Sequence, residues 1–554
     1  MHPVVVTWAL LAAISGSGWA PPDDGVGFSA ADGQCLVRAP PQMTPVIDRS
    51  RRRPEGDEAE RLRRYKRRLA APGGVIEDPC ADVAGGCTPA LDAAFAAFDR
   101  AAIGHGRAGV VVFGNSLIAA DRIVNVVRRR LQEQLGDGGR GYVLADRLGE
   151  IGPRDRTADG GAGFHPTTIA EFEPNPEAWG VPHSVAGSAH ISLGPALSRF
   201  RLHSGERLAT VFAWGRPRER GLQARVDGGR WHRVRLPEDE DEDEGDGEGD
   251  GEGASEKGGE KDGANDDDDK KAGRPIVKGE LIMHQFRLPK TAKRFELRAK
   301  RAGAIVHGVA LEHDRGGVVV DTFGVAAADA PRFVAINDEI FQPELDARQP
   351  DLVVLMLGGN ETKRIAWGQR DFETVRDDLT ALIRKTHPGP DRACLVVGPI
   401  DAVVGTRNLP EGADPFRQRP ELVAVNEIHR DVALKEGCAF FDLYAAMGGK
   451  GSLKRMDEAG TLHADLVHPK EGGLAVLGTL IADALMQAWR TTPHDEWPWR
   501  HEPAAPTFSV STSLVPVTVP RQPTIAATPH LQPARETTLS SAGKPMTARE
   551  ASEL

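Results

Sequence analysis

Apolar runs of strand length recur along the chain, separated by stretches in which apolar residues return every three or four positions. The runs are 108–113 (AGVVVF), 317–322 (GVVVDT), 352–357 (LVVLML), 393–400 (ACLVVGPI) and 438–443 (CAFFDL). Helical spacing marks 90–102 (ALDAAFAAFDRAA), 331–347, 371–386, 420–436 and 471–489. After the first run, Ile118, Ile123, Val126, Val127, Leu131 and Leu135 share one helical stripe, and Arg128, Arg129 and Arg130 lie mostly off it. Strands that are apolar throughout are buried on both faces, and alternation with amphipathic helices implies a parallel sheet covered on both sides. The pattern predicts an α/β fold, three-layer α/β/α, with about five parallel strands.

The pattern changes between the first two runs. From about 160 to 312 helical periodicity is poor. Short strand-like runs replace it at 209–214, 222–227, 232–236, 284–288, 294–300 and 304–312. This predicts an all-β module, a β-sandwich, inserted into the α/β domain. The expected division is an α/β domain in two parts, 90–155 and 315–495, around a β module at 156–314. An irregular extension at 21–89 precedes it, and a disordered Pro/Thr/Ser-rich tail at 500–554 follows.

Charge sharpens this division. Glu238 to Lys271 holds eighteen acidic residues and four lysines, a net of −14 against −11 for the whole 554-residue chain. The remainder is slightly positive, and nothing in it suggests a nucleic-acid partner. The acidic tract reads as a self-repelling disordered loop, 237–273, within the β module. Residues 51–68 are rich in Arg and Glu and read as a solvated helix.

The N-terminus, MHPVVVTWALLAAISGSGWA, has an apolar stretch too short for a membrane span. Gly18 and Ala20 suit a cleavage site before Pro21, so residues 1–20 read as a signal peptide and the protein as exported, to the periplasm, cell surface or medium. No stable membrane span is expected after cleavage, and the oligomeric state is not legible. Of five cysteines, Cys80 and Cys87 flank a short loop that export would allow to oxidise. Cys394 and Cys438 lie in apolar strand-like runs and read as buried thiols. Cys35 has no assigned state.

Three residues at strand ends carry candidate chemistry. Ser116, in FGNSLIAAD, stands at a strand–turn–helix junction, where a hydroxyl is exposed and helix N–H groups face an anion. Asn-Ser before a helix is also an ordinary N-cap. His468, in HADLVHPKEGG, has Asp465 three residues earlier to fix its tautomer, which leaves one ring nitrogen to take a serine proton. His463 lacks such an aspartate and reads as a surface histidine. Asn360, in LMLGGNET, follows a strand and two glycines, and its amide can donate to an oxyanion. A simple Gly-Asn turn would look the same.

Taken together these blocks resemble the SGNH (GDSL-like) hydrolase family: GNS at 114–116, DTFGVAAADA at 321–330, GGNE at 358–361 and DLVHP at 465–469, in that family's order. The inserted β module is similar to the branch that includes peptidoglycan O-acetylesterases. The resemblance implies an SGNH/flavodoxin-like sheet and a Ser116–His468–Asp465 triad. It also implies an oxyanion hole of Ser116, Ala327 and Asn360, supported by Asn115, Gly358 and Gly359. The implied reaction is hydrolysis of O-acyl, above all O-acetyl, esters on an envelope or extracellular polysaccharide, with no metal or organic cofactor. Two positions depart from the family. Asn115 replaces the aspartate before the nucleophile, and Ala327 replaces the oxyanion glycine. Transfer of the acyl group to a glycan hydroxyl on the same triad, or glycan binding by a catalytically weakened domain, are the alternative readings.

Overall fold

The computed structural model describes residues 75–492 apart from 84–85, 149–155, 171–180, 216–220, 235–278, 388, 390 and 405–411. The expected signal peptide, the 51–68 helix, Cys35, the acidic loop and the tail lie outside the described residues, as do the side chains of Cys80 and Cys87.

The chain enters through β1 (Ile76–Glu77) and a hairpin of β2 (Cys80–Val83) and β3 (Gly86–Pro89). Then come α1 (Asp92–Ala102), β4 (Arg107–Gly114), α2 (Ser116–Ala119) and α3 (Arg122–Leu135). The β module supplies β5 (Gly139–Val143), β6 (Gly160–Thr168), β7 (Ser188–Arg201), β8 (Glu206–Gly215) and β9 (Leu222–Val226). It continues with β10 (His232–Arg233), β11 (Glu280–Arg287), β12 (Arg294–Ala299) and β13 (Ile305–His313). The α/β layer resumes with β14 (Gly317–Gly324), α4 (Ala330–Val334), α5 (Asp338–Arg348), β15 (Leu352–Met356), α6 (Gly359–Ala366) and α7 (Phe372–Thr386). It closes with β16 (Ala393–Val397), α8 (Glu421–Lys435), β17 (Ala439–Phe441), α9 (Leu443–Ala446), α10 (Ser452–Glu458) and α11 (Glu471–Thr491).

The first sheet has the order β1-β17-β16-β15-β4-β14. Its five expected strands are all parallel, and β1 adds a short antiparallel edge against β17. Residues 75–89 are therefore not the irregular extension the sequence suggested. Each central strand is buried on both faces. Val110 and Val112 face a core shared with α1, α3 and α11, whereas Val111 and Phe113 face one shared with α5, α7 and α8. Helix α11 is long and apolar enough to cross a membrane, yet more than half of its most apolar stretch is buried in this core, with Trp489 fully covered.

The second sheet is antiparallel, with nine strands on the path β10-β9-β12-β7-β13-β8-β11, β5 joining β13 and β6 joining β7. The module thus begins at β5, inside the 90–155 range expected for the first part of the α/β domain. A buried charge network ties the two sheets together. Arg348 of α5 bridges Asp321 of β14 (2.7 Å) and Glu312 of β13 (2.8 Å), and Arg107 of β4 also reaches Glu312 (3.0 Å). Breaking one member would strand the others without partners in a dry interior.

The cysteine expectation is corrected. Cys394 and Cys438 form a disulfide, 2.08 Å between sulfurs. Each run reads as an apolar strand, but that the two runs are sheet neighbours, so that the thiols face each other, is settled by strand order.

Candidate active site

Strands β14, β4 and β15 lie side by side and end level. Gly324 pairs with Gly114, and Gly114 with Met356. The loops that follow them carry three of the four blocks and leave the sheet at one edge, where parallel α/β sheets place their sites. Helix α2 sits directly on β14: a Cβ on Gly324 would stand 2.2 Å from the Ala119 nitrogen. Behind it, buried Asp121 pairs with Arg128 (2.8 Å) and accepts from the Thr322 hydroxyl, fixing the serine turn to β14.

The cap of α2 is Asn115, whose side chain accepts from the Leu117 N–H at 3.1 Å. Capping therefore consumes the Asn115 side chain and leaves the Ser116 hydroxyl available. Ser116 Oγ lies 2.9 Å from His468 Nε2, and His468 Nδ1 lies 2.7 Å from Asp465 Oδ2. The second carboxylate oxygen of Asp465 accepts from the backbone N–H groups of Val467 (2.9 Å) and His468 (3.0 Å). Burial opposes ionisation of Asp465. The hydrogen bonds from the His468 ring and from these N–H groups outweigh it and hold the carboxyl well below its usual range. His463 is exposed; its backbone N–H donates to the His468 carbonyl at 2.9 Å, closing the turn.

Ala327 adopts φ +60°, the left-handed region that favours glycine. Alanine there costs roughly 1–2 kcal/mol, and the loop is held in place from both sides. Asn360 Nδ2 donates to the Ala328 carbonyl at 2.8 Å. Arg364 donates to the Ala327 carbonyl at 3.3 Å and pairs with buried Asp329 at 3.1 Å, which also pairs with Arg332 at 2.7 Å. One N–H of the Asn360 amide remains for another acceptor. Among the described residues, no hydrogen bond uses the backbone N–H of Ser116 or Ala327. Gly358 has φ +100°, and a Cβ there would press on His429 and Pro399 at 3.1 Å. Gly359 tolerates a Cβ sterically, 3.6 Å from Asn115 Nδ2. Asp321, first in its block, stands apart from the site in the inter-sheet charge network.

Glu361 was not among the candidates, although its place three residues after Gly358 is a capping-box signal. It is buried and accepts from the Gly358 N–H at 2.8 Å. Burial, with Asp329 nearby, raises its pKa to about 7 against the opposing Gly358 bond and Arg364. The folded value lies above the unfolded 4.5. Between these values the fold retains a proton that the unfolded chain has released, so stability falls as pH rises through that window and levels off above it. Glu361→Gln should remove this component, worth roughly 3 kcal/mol. Urea unfolding of both proteins at pH 5 and pH 8 should show a smaller loss in the variant. Equal losses would rule out the shift.

Residues 302–476 match the model of the GDSL-like lipase/acylhydrolase family. A solved structure of a peptidoglycan O-acetylesterase aligns over 72% of this chain and 97% of its own, at 16% identity and TM-score 0.52, a likeness of fold. A putative lipolytic protein of the G-D-S-L family from Desulfitobacterium hafniense aligns over 30% of this chain and 81% of its own, at 14% identity and TM-score 0.23. No curated protein matches the chain significantly. The block order and the level strand ends agree with the family match: residues 302–476 are similar to the GDSL-like lipase/acylhydrolase family, a family of carboxylic ester hydrolases.

Proposed function

We propose that the protein removes O-acetyl groups from a cell-envelope or extracellular polysaccharide through Ser116, His468 and Asp465. The observation that carries the reading is the unbroken hydrogen-bond chain from the Ser116 hydroxyl through the His468 ring to Asp465. His468 Nε2 takes the hydroxyl proton as Ser116 Oγ adds to the acetyl carbonyl. The negative charge moves to the carbonyl oxygen, facing the N–H groups of Ser116 and Ala327 and the free Asn360 N–H. Collapse expels the sugar oxygen, which receives the proton from His468. Water then adds to the acetyl-serine, His468 again accepting the proton, and collapse releases acetate and returns the proton to Ser116.

Two observations support the glycan and the location. The fold is similar to that of a solved peptidoglycan O-acetylesterase over 72% of this chain. The Cys394–Cys438 disulfide suits an oxidising compartment, as export would supply. Acetate release from O-acetylated peptidoglycan, measured beside acetylated xylan, tests the substrate class. Release from neither, together with no labelling by a fluorophosphonate, would overturn the reading. Asn360→Ala should lower kcat on an aryl acetate by about 10²–10³-fold, the effect of one lost oxyanion donor, with little change in KM.

A further inference from the structure

The outer face of the β module is built of arginine. In the register of β9, β12 and β7, Arg225 stands opposite Glu296, and Glu296 opposite Arg199. Because side chains alternate across a strand, Arg294, Arg298 and Arg201 share that face. The opposite face carries Phe295, Leu297 and Phe200 in the core. Strand spacing puts Arg225 and Arg199 roughly 10 Å apart across the face, and Arg294 and Arg298 roughly 13 Å apart along it.

Five arginines thus surround one central acid. Glu296 is already committed to Arg225 at 2.6 Å and Arg199 at 3.3 Å. Asp227 and Asp159, at the margin, accept from backbone N–H groups of Lys293, Arg294 and Arg201. Arg298 has a neutral partner, Gln223 Oε1, at 2.7 and 3.0 Å. The indole of Trp231 holds two of the guanidiniums, Arg225 at 4.3 Å and Arg298 at 4.0 Å from the ring centroid. Like charges are therefore held close together: burial, and then Arg225, lower the Arg298 pKa. Such a face gains most from a ligand that brings carboxylates in series, since each guanidinium can fork onto one.

We propose that this face docks an anionic polysaccharide, one bearing a carboxylate on successive sugars. The proposal rests on the glycan reading above and deepens it, since it places the acidic chain on the module rather than at Ser116. A nucleic acid is disfavoured, because the Trp231 ring already serves two cations instead of offering a stacking surface to a base.

Binding to polygalacturonate, dextran and duplex DNA, measured on the full chain by affinity electrophoresis, tests it. Retardation by polygalacturonate alone is expected, weakening with added salt. Arg225→Gln with Arg298→Gln should weaken it at least tenfold, and so should the exposed pair Arg199→Gln with Arg294→Gln, which spares the Trp231 stack. Both double variants should keep wild-type turnover of an aryl acetate. Ser116→Ala should bind as wild type, so a failure of the esterase reading would leave this result intact. Absence of retardation, whether the face takes nothing or takes the chain's own acidic residues 238–271, would overturn the proposal. So would equal binding by the variants, or tighter binding to DNA.

Discussion

Ser116→Ala should lower hydrolysis of an aryl acetate by about 10⁴-fold or more while leaving the protein folded. The expectation follows from what the hydroxyl touches. Its hydrogen-bond partner is His468 Nε2 at 2.9 Å, and the cap of α2 is supplied by Asn115. Removing the oxygen therefore deletes the proposed nucleophile without uncapping a helix, and the stability change should stay within about 1 kcal/mol. Labelling by a fluorophosphonate should vanish in parallel. Turnover at the wild-type rate in a correctly folded Ser116→Ala protein would show that another group attacks.

Asp465→Asn should be nearly as damaging, about 10⁴-fold in kcat, by a different route. An asparagine oxygen can keep the two backbone hydrogen bonds that Asp465 Oδ1 now accepts from Val467 and His468. The amide nitrogen then faces His468 Nδ1 where a carboxylate oxygen stood at 2.7 Å. A donor there drives the ring proton onto Nε2, the nitrogen that must accept from Ser116, and no negative charge remains to stabilise the imidazolium. The turn should survive, so KM and melting temperature should move little while kcat collapses. Slow labelling by a fluorophosphonate should persist, because Ser116 is intact. A loss of less than about tenfold would mean that the imidazole is oriented by something other than Asp465.

The two departures from the family pattern have separate physical meanings. Asn115 retains what the position does locally: its side-chain oxygen caps α2 as an aspartate oxygen would, without the charge. Ala327 meets a backbone demand. It is held at φ +60° by a loop tied to Arg364 and Asn360, and a backbone N–H serves an oxyanion whether or not a Cβ is attached. The four blocks could be read in order, and Glu361 carried a capping-box signal, but the Asp329–Arg364–Arg332 cluster and the burial of Glu361 could not be read. Their significance lies in which charges become neighbours once the loops are packed.

The β module was only partly legible for a related reason. Strands β8 and β12 present alternating or continuous apolar residues and could be found. Strand β7 buries Ser188, His190, Ser192 and Ser198 on positions a simple pattern would fill with apolar residues, so its alternation is hidden. The side chains of His190, Ser192 and Ser198 meet backbone carbonyls, among them that of Asp146 for His190, Arg301 for Ser192 and Ala145 for Ser198. Strand β1, two residues long, is too short to carry any period.

Local burial leaves its mark on the sequence, because a residue between two helical layers must be apolar whatever its partners are. The five parallel strands, their intervening helices and the polar residues at strand ends were fixed at that level. Strand order and register were not, because they depend on how whole faces interlock across hundreds of residues. That packing brought Gly114, Gly324 and Met356 level, set Cys394 beside Cys438, gathered arginines onto one face of the module, and carried His468 to Ser116.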